Sequence, residues 1–230
     1  MMIMKLMNHW LLMLTLLVFG SRALAINVGA ITESMPSDTN MIAKEVSNTV
    51  DVARLVSLSV ERISSPLEQG KVIPMEAQNE IMVTPANLIL PGKAKEIFRI
   101  FYGGQKDDKE RYYRLIWQDN PVVEEGNSKS TKTAMATTSA TISTLMVVNP
   151  RKENFNYRYE NGVISNIGNS SFRVVASGPC FPNKSEGENK MCRERYYVMP
   201  GLAVHLKFVD YQLNKSSIGI WHNKNYITVK

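Results

Sequence analysis

The sequence predicts an all-β chain folded as two β-sandwiches in tandem, behind an export leader. Two observations carry this. Short alternating segments separated by turn residues recur along the chain, while no long amphipathic helical period occurs. An Asn149-Pro150 turn then follows an uninterrupted extended run and divides the chain.

The first 25 residues read as a signal peptide. Lys5 supplies a positive end, Trp10 to Phe19 is a short apolar run, and Ala23-Leu24-Ala25 offers small residues for cleavage between Ala25 and Ile26. That run falls short of the roughly 20 residues a spanning helix needs, so no stable membrane insertion is expected after cleavage. Loss of Lys5 and Arg22 with the leader takes the net charge from +6 to +4. The excess is thin and dispersed, so nucleic acid is not an expected partner. Cys180 and Cys192 are the only cysteines of the chain, and an even pair in an exported protein reads as a disulfide.

Val52 to Val60 alternates, with Val52, Arg54, Val56, Leu58 and Val60 on one face. Ile81-Met82-Val83-Thr84 ends at Pro85, Asn87-Leu88-Ile89-Leu90 ends at Pro91-Gly92, and Glu96 to Tyr102 ends at Gly103-Gly104. Arg111 to Trp117 is an aromatic-rich strand, and the polar stretch from Asp119 to Ser130 reads as a loop. From Thr133 to Val148 no charge, Gly or Pro interrupts the chain, a run of about 50 Å if extended. Beyond Asn149-Pro150, Phe155 to Tyr159 alternates and Asn161-Gly162 is a strong hairpin signal into Val163 to Asn166. Further strands are expected at Phe172 to Ala176, Ala203 to Val209, Ile218 to Trp221 and Tyr226 to Val229. The expected division is 1–25 leader, 26–149 first domain and 150–230 second domain.

Catalysis finds little support. Only His205 and His222 follow the leader, no nucleophile elbow, phosphate loop or zinc-helix motif is present, and the paired acids Asp107-Asp108 and Glu124-Glu125 sit in polar loops. Neither histidine stands at metal-ligand spacing from the cysteines. No enzyme, cofactor or metal site is expected.

The run from Thr133 to Val148 is more informative. Its even positions (Ala134, Ala136, Thr138, Ala140, Ile142, Thr144, Met146 and Val148) form the more apolar face, and its odd positions are richer in hydroxyls. It can be the last core strand of its sandwich, but strands average about 5–6 residues and the run exceeds twice that. The excess must bend, become loop, or project past its sheet, and a projecting apolar edge is a hazard unless pairing with another chain is its task.

Val83-Thr84-Pro85-Ala86-Asn87-Leu88-Ile89-Leu90-Pro91-Gly92, followed by Ile97-Phe98-Arg99-Ile100, resembles a segment of the periplasmic pilus chaperones of the chaperone–usher pathway. Glu110 to Trp117 resembles their strand F1, and the run ending in Val147-Val148-Asn149-Pro150 their strand G1 and linker. Arg62 to Leu67, Pro150-Arg151, Ser177-Gly178-Pro179-Cys180 and Tyr196 to Gly201 are similar to the common pilus (Ecp/Mat) chaperones of the alternative branch.

The resemblance implies two immunoglobulin-like sandwiches set at an angle, located in the periplasm. It also implies pilin subunits bound by donor-strand complementation through Ala134, Ala136, Thr138, Ala140, Ile142 and Thr144, then passed to an outer-membrane usher. Better-known members hold the pilin carboxylate with a basic residue late in G1 and another in the first strand. Here the corresponding places are Leu145 or Thr144, and Ile31 to Ser34, without a cation. Arg114, Lys44 and Arg54 are the substitutes considered. The competing reading is a secreted two-domain immunoglobulin-like adhesin or binding module.

Overall fold

A computed structural model of the chain describes residues 26–122, 138–181 and 190–230. Among the described residues, nine strands build the first part: β1 (Thr32–Met35), β2 (Met41–Ser47), β3 (Arg54–Ile63), β4 (Val72–Ile73), β5 (Ile81–Thr84), β6 (Asn87–Leu90), β7 (Lys95–Tyr102), β8 (Arg111–Pro121) and β9 (Ala140–Val148). One sheet runs β1-β9-β8-β3-β4, with β6 also on β3, and the other runs β2-β7-β5. Strict alternation in β8 sends Tyr113, Leu115 and Trp117 inward, all fully buried. Phe98 and Ile100 of β7 meet them from the facing sheet, Phe98 edge-on to Trp117 with ring centroids 5.2 Å apart. Such aromatic pairs contribute about 0.5–1.5 kcal/mol beyond area burial.

Among the described residues, seven strands build the second part: β10 (Tyr157–Glu160), β11 (Val163–Asn166), β12 (Phe172–Pro179), β13 (Met191–Val198), β14 (Ala203–His205), β15 (Ser217–His222) and β16 (Asn225–Thr228). They form the sheets β10-β11-β14 and β13-β12-β15-β16. Asn161 and Gly162 take φ values of 47° and 78° in the β10–β11 turn, the left-handed pair a two-residue hairpin demands. Ile164, Phe172, Val174, Val198, Ile218 and Ile220 form a separate core.

The sequence reading holds no strand expectation for β2 or β4, and three further elements depart from it. β8 continues through Asp119, Asn120 and Pro121, where a loop is expected, because the buried Asp119 carboxylate pairs with Arg54 across the sheet. β13 has no strand expectation of its own: Cys192, Glu194 and Tyr196 are the inward-pointing positions, so its pattern reads as charged and aromatic. The buried Glu194 is satisfied by accepting the Lys207, Phe208 and Val209 amides at 2.8, 2.7 and 2.6 Å. β14 stops at His205, since the Leu206 to Val209 stretch turns to give Glu194 those amides.

Cys180 and Cys192 are joined by a disulfide, with Cα atoms 5.0 Å apart. It staples the end of β12 to the start of β13, around the segment 182–189. A closed loop of 12-residue separation restrains the unfolded chain by roughly 3 kcal/mol. Replacing both cysteines by alanine is expected to lower the urea unfolding free energy of the second part by about that amount, measured by Tyr and Trp fluorescence.

Candidate functional site

The donor residues Ala134 and Ala136 lie outside the described residues, as does Ala25 of the expected cleavage pair. Strand β9 begins at Ala140 and is antiparallel to β8 throughout, Ala140 facing Asp119 and Val148 facing Arg111. Its other edge is only half covered. β1 runs parallel to Leu145 through Val148, and the Ile31 carbonyl accepts the Leu145 N–H at 2.8 Å. Upstream of that contact, Ala140 to Thr144 pair with β8 alone among the described residues. Because backbone groups alternate sides along a strand, the Leu145 direction puts the Thr141 and Ser143 N–H and C=O groups on the open edge.

Side chains along this half sort by parity. Thr138 is exposed, Ala140 and Ile142 are half-buried, and Ile142 packs against the first core. Thr144 is buried there and accepts a hydrogen bond from Trp117 Nε1 at 3.1 Å. Thr144 is thus committed to its own domain, whereas Ala140 and Ile142 sit at its rim. Thr141 and Ser143 face outward.

The three cations considered as carboxylate anchors all have partners. Lys44 is buried, 2.9 Å from a Glu33 oxygen, and donates to the Ala30 carbonyl at 2.6 Å. Arg54 is buried, its Nε 2.6 Å from Asp119, and it donates to the Thr138 carbonyl at 2.7 Å. A charge inside an apolar period must find a counter-charge when the strand is packed, and Arg54 finds the wholly buried Asp119 while Lys44 finds Glu33, a third exposed at the cavity between the two parts. Arg114 keeps a third of its side chain exposed and lies 3.2 Å from Glu61 opposite it on β3.

The two parts meet through a joint that the sequence did not disclose. Ile63, Tyr112 and Val147 form a small apolar cluster that Met199 closes from the second part. Glu110, from the first part, accepts the Ser171 amide at 2.6 Å and also takes the Ser171 hydroxyl. Burial pushes the Glu110 carboxyl up, against the hydrogen bonds of Ser171 and Tyr112. In the linker, Glu153 accepts from Ser37, Asn149 and Ser170 at 3.0, 2.9 and 2.6 Å. His222 Nε2 lies 2.9 Å from the same carboxylate, and its ring stacks on Phe155 at 4.2 Å. Burial raises the Glu153 pKa, but the His222 and Ser170 hydrogen bonds outweigh it and bring the group down to about 2. Ser170, His222 and Glu153 do not make a catalytic relay. One ring nitrogen serves both neighbours, and Ser170 is fully buried, whereas a relay uses the two nitrogens separately.

Between the two parts lies a cavity of about 410 Å³, walled by Leu145 and Val147 of β9 on one side and by Arg173, Tyr197 and Trp221 on the other. Arg173 drew no attention in the sequence because its place opposite β9 depends on how the two sandwiches meet.

Two outcomes follow from this geometry. Asp119→Ala leaves the Arg54 guanidinium buried without its counter-charge and is expected to cost about 3–5 kcal/mol, read by thermal unfolding. Glu153 has a pKa depressed from 4.5 to about 2, and Asp107, held by Arg111, falls from 3.8 to about 2. Their contribution is therefore present above those ordinary values and lost as pH falls toward 2. The urea midpoint should drop across that window, and Glu153→Gln should flatten part of the drop.

Comparison with known proteins places this architecture. Residues 155–229 match the family model of the EcpB C-terminal domain. The chain is 41% identical over 225 residues to "Probable fimbrial chaperone EcpB" of Escherichia coli O157:H7 (strain EC4115 / EHEC), covering 97% of this chain and all of that relative. The relative of that name from E. coli K12 (strain DH10B) matches to the same extent. Among solved structures, the class 5 fimbriae chaperone CfaA aligns with a TM-score of 0.53 at 16% identity, over 88% of this chain and 97% of that one. The CupB2 chaperone of Pseudomonas aeruginosa aligns at 0.52 and 14% identity, over 88% and 97%. These likenesses show the fold: all-β, in the arrangement of fimbrial chaperones with two immunoglobulin-like domains. Its relatives are chaperones and not enzymes, and the chain belongs to the EcpB family of fimbrial chaperones.

Proposed function

We propose that this chaperone captures fimbrial subunits in the periplasm by lending them strand β9, and then delivers them to an outer-membrane usher. The observation that carries the reading is the open edge from Ala140 to Thr144, beside a covered edge from Leu145 onward. Such an edge invites strand addition, in which main-chain hydrogen bonds give affinity and alternate side chains give specificity. An incoming strand would bond Thr141 and Ser143. A subunit core on the same side of the extended sheet would then receive Ala140 and Ile142, with Ala134, Ala136 and Thr138 continuing the series. Thr144 contributes by closing the chaperone's own core behind them.

Residues 1–25 serve as the export leader, 26–149 as the strand-lending domain, and 150–230 as the domain that closes the cleft. Of the three cations considered as anchors, Arg114 is favoured, since Lys44 and Arg54 are buried in ion pairs while Arg114 is partly exposed beside Leu145.

Co-expression of the chain with a fimbrial subunit tests the reading. The soluble subunit should rise and co-purify one to one, while an adhesin would leave it unchanged. Ile142→Asp should abolish capture and leave the second domain folded by its own unfolding transition. Undiminished capture by that variant would sink the assignment of β9. Arg114→Ala should weaken capture without changing stability by more than about 1 kcal/mol.

A further inference from the structure

The sheet β13-β12-β15-β16 has one face in its core and the other outside. Its register aligns Tyr197, Arg173, Trp221 and Tyr226 as one outward row across all four strands. Arg195, Val175, Gly219 and Thr228 make the next row, and Arg193, Ser177 and Ser217 the third. These outward positions hold three arginines and no acid. All three are exposed, and none has an ion pair among the described residues. Tyr197, Trp221 and Tyr226 are 38%, 41% and 46% exposed, large fractions for aromatic side chains on a packed sheet.

The aromatic row is ordered by the sheet itself. Trp221 and Tyr226 have ring centroids 5.1 Å apart. The Tyr226 ring lies over Gly219, where an added Cβ would stand 2.1 Å from its hydroxyl oxygen. Glycine at that place is what lets the ring lie down. Arg173, Tyr197 and Trp221 also wall the cavity lined on its other side by Glu33 of β1 and by Leu145 and Val147 of β9, so the row reaches the β1-covered half of the strand whose upstream half is open.

We propose that this face holds an acidic segment of the same subunit that pairs with β9. The inference rests on the chaperone reading and adds a second contact, on the second domain. Guanidinium groups bind carboxylates in bidentate fashion, and tyrosine, tryptophan and arginine dominate the energetics of interfaces. Among the described residues no acid stands beside the three arginines, so their mutual repulsion favours an acidic occupant on this face.

The test uses the full chain co-expressed with a fimbrial subunit, and a deca-glutamate peptide as an independent probe. Arg173→Glu with Arg195→Glu should weaken the purified subunit complex about tenfold or more, and most at low salt. It should also abolish saturable binding of the peptide, read by Trp221 fluorescence. The charge-matched control Arg158→Glu with Lys207→Glu, off this face, should change neither. Equal subunit affinity in the wild type and the Arg173/Arg195 variant overturns the proposal, whatever the peptide does. Peptide binding lost with the subunit complex intact would assign the face to a different acidic partner and overturn the occupant proposed. Absence of any subunit complex with the wild type would instead remove the chaperone reading on which it stands.

A second inference rests on the expected cleavage before Ile26. Ile26 is buried, and its N–H donates to the wholly buried Asp119 at 3.3 Å. The other Asp119 oxygen takes Arg54, which in turn holds the Thr138 carbonyl just before β9. We infer that leader removal completes this cluster. Hydrolysis of the Ala25–Ile26 amide consumes one water, leaves a carboxylate on Ala25 and an ammonium on Ile26, and the ammonium becomes the second cation on Asp119. The chain beginning at Ile26 should then melt at a higher temperature than one extended by a single glycine before Ile26, and Asp119→Asn should remove that difference, with the start of the exported chain read by mass spectrometry. Equal melting of the two, a difference that survives Asp119→Asn, or a mature chain that begins elsewhere would each overturn the inference.

Discussion

Among the described residues, β9 is held on both sides for only part of its length. β8 supports it throughout, but β1 reaches it only from Leu145 to Val148. A strand bonded on one side leaves half its backbone groups seeking partners, and such an edge normally demands a bulge, a charge or a cover. Among the described residues, Ala140 to Thr144 carries none of these. The Trp117 to Thr144 hydrogen bond and the packing of Met146 and Val148 hold the downstream half in place, while β8 and the core contact of Ile142 hold the upstream half in the same sheet. On the strand-lending proposal, main-chain capture of a partner would lose less conformational entropy, because the groups it would bond already lie in an extended strand.

The second constraint is the satisfaction of buried charge. Arg54 with Asp119, Lys44 with Glu33, and Arg111 with Glu76 and Asp107 are the ion pairs on which the first domain closes. Each leaves a costly orphan if one partner is lost. At the joint, Glu110 and Glu153 do similar work between the domains, one gripping Ser171 and the other collecting Ser37, Asn149, Ser170 and His222. Hydrogen bonds of this kind are directional, so they fix the cleft geometry as well as its closure. The wall formed by Arg173 and Trp221 is thereby kept opposite Leu145 and Val147.

Strands with clear alternation and turn punctuation were legible: β5, β6 and β11 span the expected residues, and β7, β12 and β15 lie within a few residues of them. β13 was not, since its inward positions include a glutamate satisfied by amides from a distant turn. The same limit applied to the cations. A lysine or arginine within an apolar period announces that a charge is buried or reaches solvent, and says nothing about where its partner stands. Glu33 lies 11 positions from Lys44, and Asp119 lies 65 from Arg54.

By itself the sequence determined the strand-rich class, the cysteine pair, the export leader as an expectation, and the parity of the long run before Asn149-Pro150. These are local properties, written in side-chain period and turn chemistry along contiguous residues. Only the tertiary structure decided which half of β9 has an open edge, that Thr144 belongs to the chaperone's own core, and that Arg173 rather than Lys44 or Arg54 faces the cleft. Those outcomes depend on strand neighbours and buried counter-charges brought together from distant parts of the chain. Burial and pairing energies are set by that assembly, and no local pattern encodes them.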